Sequence, residues 1–346
     1  LSFISPMLEA SDLTKSQICV NIGNMIPRVV EQKVLESLEQ WNKTVVVLGP
    51  RQTGKTTMLK DLQKKWTEEG KKSAYYNCDT DEDLDAINTN SLTLLNQRVK
   101  GINYLLVDEA QRLNNPGLTF KIIHDNFPQV RLVVTGSSSF ELRNKLSDAM
   151  TGRYIDFMMY PLSLTEVVKN APSSDVSRLA DDFLLYGGYP EVYLQSQLEL
   201  KKTLLTTITE SYLFKDILAY SGIRNTQAIK NLTRALAYQI GAEVNENELA
   251  SRIKIDRKTL LSYIEILEQA FVIYRLFPYS KNPRREIGRR YKVYFIDLGI
   301  RNALIGDFNN PILRSDSGGM WENLLVIERI KNMSTKAFRP KSYFWR

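Results

Sequence analysis

Gly49-Pro50-Arg51-Gln52-Thr53-Gly54-Lys55-Thr56-Thr57 lies between an apolar run, Thr44 to Leu48, and a stretch from Met58 to Thr67 with helical spacing. The run suits a buried parallel strand, so the nonapeptide reads as the turn from strand into helix. Its glycines let backbone N–H groups curl inward around a phosphate, and the helix N-terminus adds its dipole and unsatisfied donors. Lys55 is expected to reach the β- and γ-phosphates of a nucleotide, and the Thr56 hydroxyl to hold Mg²⁺. A plain glycine-containing loop with a surface lysine would not account for the flanking strand and helix.

Upstream, Ile26-Pro27-Arg28 opens a helical pattern carried by Val30, Val34, Leu35, Leu38 and Trp41. Arg28 could touch a bound phosphate or base from the domain edge, or be an ordinary surface arginine. Residues 1–25 hold few periodic apolar positions and read as a leader. Downstream come a short strand, Ser73 to Asn77, a helix, Leu84 to Val99, and an apolar strand from Ile102 that ends in Asp108-Glu109. Asp108 at a strand tip suits the Mg²⁺ shell opposite Thr56, and Glu109 can then point at an attacking water. Either acid alone would pass as a solvated strand end; together with the phosphate loop they imply hydrolysis.

The next strand, Val130 to Thr135, ends in Gly136-Ser137-Ser138-Ser139. Thr135 and Ser137 are candidates to hydrogen-bond the water or the γ-phosphate, although the Gly-Ser-Ser cluster is also ordinary turn chemistry. Gln111 is a further candidate to sense the γ-phosphate. Arg153 precedes a last strand, Tyr154 to Tyr160. There it could reach the γ-phosphate of a neighbouring subunit and stabilise transition-state charge, or form a surface salt bridge.

Together, Ile26-Pro27-Arg28, the nonapeptide, Asp108-Glu109-Ala110-Gln111, Thr135-Gly136-Ser137-Ser138, Gly152-Arg153 and Tyr160-Pro161-Leu162-Ser163 resemble one large family. It is the prokaryotic AAA-type ATPase family, often labelled archaeal ATPases, whose C-terminal region of unknown function combines a winged helix with a restriction-endonuclease-like domain. Tyr186-Gly187-Gly188-Tyr189-Pro190 extends the resemblance over most of the chain. It implies an ATPase core related to oligomeric motors.

Residues 162–240 read as helices punctuated by Gly187-Gly188 and Pro190, forming a lid beside the nucleotide in which Arg224 or Arg234 could contact phosphate. From Asn245 to Leu267 the pattern is helix-turn-helix, with Arg257, Lys258 and Thr259 opening the helix that would enter a major groove. Lys281, Arg284, Arg285, Arg289, Arg290 and Lys292 then make a basic wing. Between Arg252 and Lys292 eleven Lys or Arg face four Asp or Glu, an excess equal to the +7 of the whole chain. An anionic partner, DNA first, follows as the expectation, with a solvated basic face or a subunit contact as the competing reading. The final stretch, from Gly318, resembles the opening helix and first strand of the nuclease-like domain. Glu322 is the only residue before Arg346 that could belong to such a site, so cleavage has no support.

The 346 residues, 43% hydrophobic and 25% charged, have the composition of an ordinary globular protein. No apolar run approaches the ~20 residues of a membrane span. Two cysteines, Cys19 and Cys78, without ligand spacing suggest a reduced, cytoplasmic setting, and a single histidine, His124, all but excludes a His-based zinc site or a Ser-His-Asp triad. The expected fold is α/β: a parallel P-loop sheet with helices on both faces (26–161), a helical lid (162–240), a winged helix (241–300) and a partial C-terminal α/β domain (301–346). The expected function is ATP hydrolysis with Mg²⁺, coupled to engagement of DNA, structured or branched, by a homo-oligomer. The alternative is an ATP-dependent switch that uses the winged helix as a protein-interaction surface. A nuclease regulated by its ATPase would need residues beyond Arg346.

Overall fold

Strand β1 (Thr44–Leu48) is buried at all five positions, and a strand buried on both faces needs sheet neighbours and helices above and below it. The computed structural model, which describes residues 26–137, 139–171, 175–214, 217, 223, 225–279, 290–335 and 341–345, supplies both. Strands β2 (Ser73–Asn77), β3 (Tyr104–Asp108), β4 (Arg131–Gly136) and β5 (Tyr154–Met158) join β1 in an all-parallel sheet of order β2-β3-β4-β1-β5. Val45 and Val47 face the helices α1 (Val29–Gln40) and α2 (Lys55–Glu68) through Val34, Leu38, Leu59 and Leu62. Val46 and Leu48 face the opposite core with Leu95, Phe120 and Leu142. The fold is therefore the α/β, P-loop NTPase-like sheet that the sequence implied.

One helix expected from Leu84 to Val99 is two, α3 (Asp81–Ile87) and α4 (Leu92–Val99). The break falls at Asn88-Thr89-Asn90-Ser91, where short polar side chains offer the backbone alternatives to the helical ladder. Asn88 Oδ1 accepts from Asn114 N, and Thr89 Oγ1 from Ser91 N. Helix α5 (Pro116–Asn126), which carries His124, and helix α6 (Ser139–Ser147) complete this half.

Beyond β5, the chain runs through helices α7 (Leu164–Asn170), α8 (Val176–Tyr186), α9 (Pro190–Leu194), α10 (Leu198–Thr207) and α11 (Thr226–Tyr238). Then follow α12 (Glu246–Ile253), α13 (Arg257–Gln269), the antiparallel pair β6 (Ile273–Pro278) and β7 (Lys292–Phe295), and α14 (Leu298–Ile305). Helix α15 (Ser317–Ser334) and strand β8 (Tyr343–Phe344), parallel to β6, complete a second sheet of order β7-β6-β8. Glu243 forms an antiparallel bridge with Lys292, next to the hairpin. One apolar core runs from Tyr186 to Leu304, with Phe308 packed on it, so the segments expected as lid and as winged helix share it. A smaller core joins Leu162, Val167, Leu179 and Phe183 to Leu298, Met320 and Leu324.

Gly187 and Gly188 have a mechanical reason. A Cβ at Gly187 would lie 2.0 Å from Asp297 Oδ1, and its φ of +68° suits glycine. Asp297 Oδ2 accepts from Gly188 N at 2.7 Å, and Oδ1 accepts from Ile300 N at 3.1 Å to cap α14. Burial pushes this carboxyl above its ordinary value, against the nearby Lys331 cation and the backbone donors that favour ionisation. Among the described residues no helix is long and apolar enough to cross a membrane, and no cluster of His, Cys, Asp and Glu could hold a metal ion by itself.

Candidate active site

The loop after β1 is shaped by the neighbouring strand. Met159 N donates to Leu48 O at 2.7 Å, which brings Met159 O so close that a Cβ on Gly49 would stand 2.1 Å from it. Gly54, with φ +95°, turns the chain into α2. Within the turn, Thr53 Oγ1 donates to Pro50 O at 2.9 Å. The buried Lys55 ammonium donates to Gly49 O at 2.9 Å and Pro50 O at 2.8 Å, so it is held at the mouth of the loop. Thr56 is half-buried and Thr57 exposed on the first turn of α2, while Arg51 and Gln52 are half-buried on the rim.

Because β4 lies between β1 and β3, the tip of the acidic strand faces the phosphate loop across β4's own end. Asp108 is buried there, and its carboxylate has three donors. Thr135 Oγ1 donates to Oδ1, Glu109 N donates to Oδ1 at 3.1 Å, and Tyr75 OH donates to Oδ2 at 3.0 Å. Glu109 takes a left-handed conformation, φ 51°, uncommon for a residue with a side chain. Its Oε2 accepts from Gln111 Nε2 and, at 2.8 Å, from Ser137 Oγ, and Gln111 Nε2 also donates to Ser137 Oγ at 3.0 Å. Burial alone would push the Glu109 carboxyl up. The Lys55 cation, the donors Gln111 and Ser137, and the Arg51 cation outweigh it, so the group lies below its ordinary value. At neutral pH it is a carboxylate that feels the charge of the loop lysine.

The structure thus brings together Lys55, Arg51, Asp108, Glu109, Gln111, Thr135 and Ser137. Thr56 hydroxyl and Asp108 carboxylate are hard oxygen donors of the kind Mg²⁺ takes beside phosphates, so this donor set fits that ion. Tyr75 is a partner that sequence reasoning missed. Its signal is the pairing of β2 with β3, Asn77 opposite Asp108, which strand order alone reveals.

Arg28 is placed differently from either expectation. Its guanidinium is buried against the loop and donates to Glu166 Oε1 (3.1 Å), Thr53 O (2.5 Å) and Tyr160 O (2.6 Å), with 9% of the side chain exposed. Arg153 makes a two-point salt bridge with Asp125, at 2.9 and 3.2 Å. Thr44 pairs with Tyr154 and Leu48 with Met158, so Arg153 stands at the opposite end of the sheet from its own loop, about 20 Å away at 3.3 Å per residue. It cannot serve the phosphates of its own chain.

Of the nine residues expected to meet nucleic acid, Lys281, Arg284, Arg285 and Arg289 lie outside the described residues, as do the lid candidate Arg224, Ser138 and the leader 1–25. Lys258 and Arg290 are exposed. Arg257 is exposed too but pairs with Glu246 at 2.6 Å. The Thr259 hydroxyl donates to the capping residue Asp256. Lys292 donates to Glu322 Oε1 at 2.8 Å, and Tyr294 OH reaches the same oxygen at 2.7 Å, so Glu322 ties α15 to the hairpin.

Residues 41–168 match the family model of the AAA domain, and residues 177–310 match a domain of unknown function (DUF8612), nearly the span of the large C-terminal core. An uncharacterized protein of Haemophilus influenzae is 25% identical over 326 residues, covering 88% of this chain and 79% of that one. An uncharacterized protein of Methanocaldococcus jannaschii is 25% identical over 350 residues, covering 94% and 75%. One of Mycobacterium tuberculosis is 26% identical over 306 residues, covering 87% and 64%. Among solved structures, AMPPCP-bound DnaA from Aquifex aeolicus has a TM-score of 0.39 at 16% identity, covering 72% of this chain and 91% of that one. PCH-2 of C. elegans has a TM-score of 0.30 at 15% identity, covering 73% and 69%.

Proposed function

We propose that the AAA-type P-loop domain hydrolyses ATP to ADP and phosphate, and that the C-terminal module couples this cycle to an anionic polymer, DNA. The observation that carries hydrolysis is Glu109, an ionised, twice-hydrogen-bonded carboxylate beside Asp108 and under the influence of Lys55. The loop N–H groups and Lys55 bind the β- and γ-phosphates. Thr56 and Asp108 would hold Mg²⁺, which supplies charge neutralisation on the phosphate oxygens. Glu109 orients a water and takes up its proton as the oxygen attacks the γ-phosphorus. Thr135 holds Asp108 in place, while Ser137 and Gln111 hold Glu109. Gln111 Oε1 is buried with no hydrogen-bond partner among the described residues. Glu109→Gln should bind ATP with little change in affinity yet lose turnover; wild-type turnover in that variant would remove the assignment.

For DNA, support comes from the local charge excess between Arg252 and Lys292 and from the exposed Lys258 and Arg290. We read the order helix α11, bridge at Glu243, helices α12 and α13, and hairpin β6-β7 as a winged helix. ATPase rate with and without duplex, single-stranded and four-way DNA tests the coupling, and a rate indifferent to all three sinks it. A second reading has its own observation: Arg257, Thr259 and Lys292 are all engaged within the chain, as residues of a structural or protein-binding surface would be. In that case the module is an ATP-dependent switch toward a protein partner. Assembly into a homo-oligomer and a cytoplasmic setting go with the first reading.

A further inference from the structure

Glu166 is the far side of the Arg28 contact, 138 residues away in sequence, and its carboxylate is fully committed. Oε1 accepts from Arg28 Nε at 3.1 Å and Val29 N at 3.0 Å. Oε2 accepts from Ser163 N at 2.9 Å, and Ser163 Oγ accepts from Glu166 N at 3.1 Å, which makes a capping box for α7. With side-chain exposures of 9% and 6%, the pair is buried. Burial pushes the Glu166 carboxyl up, but the Arg28 cation and the backbone donors outweigh it and hold the group below its ordinary value. The acid therefore stays ionised and the guanidinium stays clamped.

What the clamp grips is the carbonyl of Thr53. A trans peptide is planar, with its C=O and the following N–H pointing in opposite directions, and the chain has no cis bond among the described residues. Fixing Thr53 O against Arg28 therefore turns Gly54 N–H to the other side of the loop, away from the clamp. Gly54 is the residue before Lys55, and its N–H is one of those a phosphate loop must turn inward. Tyr160 O, held by the same guanidinium, fixes the end of β5 against which Gly49 packs.

We propose that Arg28, held by Glu166, is a positioning residue that presets the Thr53-Gly54 peptide for phosphate, touching no phosphate itself. This rests on the ATP-site reading above. The two roles for Arg28 differ in sign at Glu166. If Arg28 touched phosphate, removing the negative charge of Glu166 would leave ATP affinity unchanged or raise it; if Arg28 positions the loop, Glu166→Gln weakens it. The experiment is titration of ATP and ADP with Arg28→Gln, Arg28→Lys, Glu166→Gln and the double glutamine variant, each checked by thermal melting. Arg28→Gln and Glu166→Gln should each weaken both nucleotides about tenfold. The double variant should be no weaker than the worse single, and Arg28→Lys should recover only part, lacking the three-point fork. Unchanged or tighter binding in Glu166→Gln, or full additivity, overturns the proposal. Hydrogen exchange in nucleotide-free protein provides a second readout that needs no ATP. The Gly54 and Lys55 amides should exchange several-fold faster in both single variants while β1 amides keep their protection, and equal exchange also overturns the proposal. Should the wild type bind no nucleotide, the ATP-site reading fails and the exchange result still decides the role of Arg28.

Discussion

Gly49→Ala is the sharpest test of how strand β5 shapes the phosphate loop. The added methyl would stand 2.1 Å from Met159 O and 3.0 Å from its carbon, both backbone atoms. No rotamer change relieves a clash with backbone. The two strands must separate by about an ångström before the contact becomes ordinary, against the tight packing of a protein interior. Met159 N to Leu48 O, 2.7 Å in a fully buried strand end, is the bond that would stretch. Overpacking of this kind costs about 1–3 kcal/mol and the weakened hydrogen bond about 1 kcal/mol more. The sum of about 2–4 kcal/mol corresponds to a melting shift of about 4–16 °C at 2–4 °C per kcal/mol. The same displacement moves the carbonyl that Lys55 holds, so ATP affinity should fall as well. Thermal melting followed by circular dichroism and a nucleotide titration measure both. A melting point within ~1 °C of wild type, with unchanged ATP affinity, would refute the close-approach reasoning.

Three further predictions follow from other parts of the molecule. Mixing Arg153→Ala with Lys55→Ala subunits should restore some turnover, because the sheet places Arg153 out of reach of its own loop; mixed oligomers of proven composition without rescue would exclude the role across subunits. Glu109 lies below its ordinary value, so it remains ionised at mildly acidic pH, and the acid limb of kcat should move to higher pH in Ser137→Ala, which loses a donor to the carboxylate. Asp316 is held below the carboxylate range by hydrogen bonds from Arg314 and Arg301, opposed by partial burial. A depressed carboxylate contributes stability that is present above its unfolded value and lost as pH falls through the folded one. The melting point of Asp316→Asn should therefore be lower at pH 7 and less sensitive to acid than that of wild type; equal slopes would contradict the assignment.

Much of the nucleotide half was legible because its signals are local. Thr44 to Leu48 is an apolar run directly joined to a phosphate-loop pattern, and Asp108-Glu109 ends a second such run. Asn88-Thr89-Asn90 carried the helix break in plain view, but helical periodicity on either side masked it. Ser163 and Glu166 have capping-box spacing, also local. That the same carboxylate clamps Arg28 is a matter of separation in sequence: no periodicity links residues 28, 53 and 166. Tyr75 is hidden for a related reason, since its contact with Asp108 exists only because β2 is the neighbour of β3. The basic surface was the least legible part. Charge can be counted from the chain, but whether an arginine meets a ligand or a neighbouring acid, as Arg257 meets Glu246, depends on the packing of two helices.

The docking of Asp297 into the Gly187-Gly188 turn bears on how the chain is made. A ribosome delivers Leu162, Leu179 and Phe183 more than a hundred residues before Leu298 and Met320, the groups that cover them. Domains generally fold as units during synthesis, N-terminal first, so the five-stranded sheet is complete early while the helices beyond it wait with apolar faces uncovered. Nascent chains halted near residue 290 should be cut by protease within α7 and α8 but not within β1 to β5. Release of the remaining residues would close the turn and protect both helices.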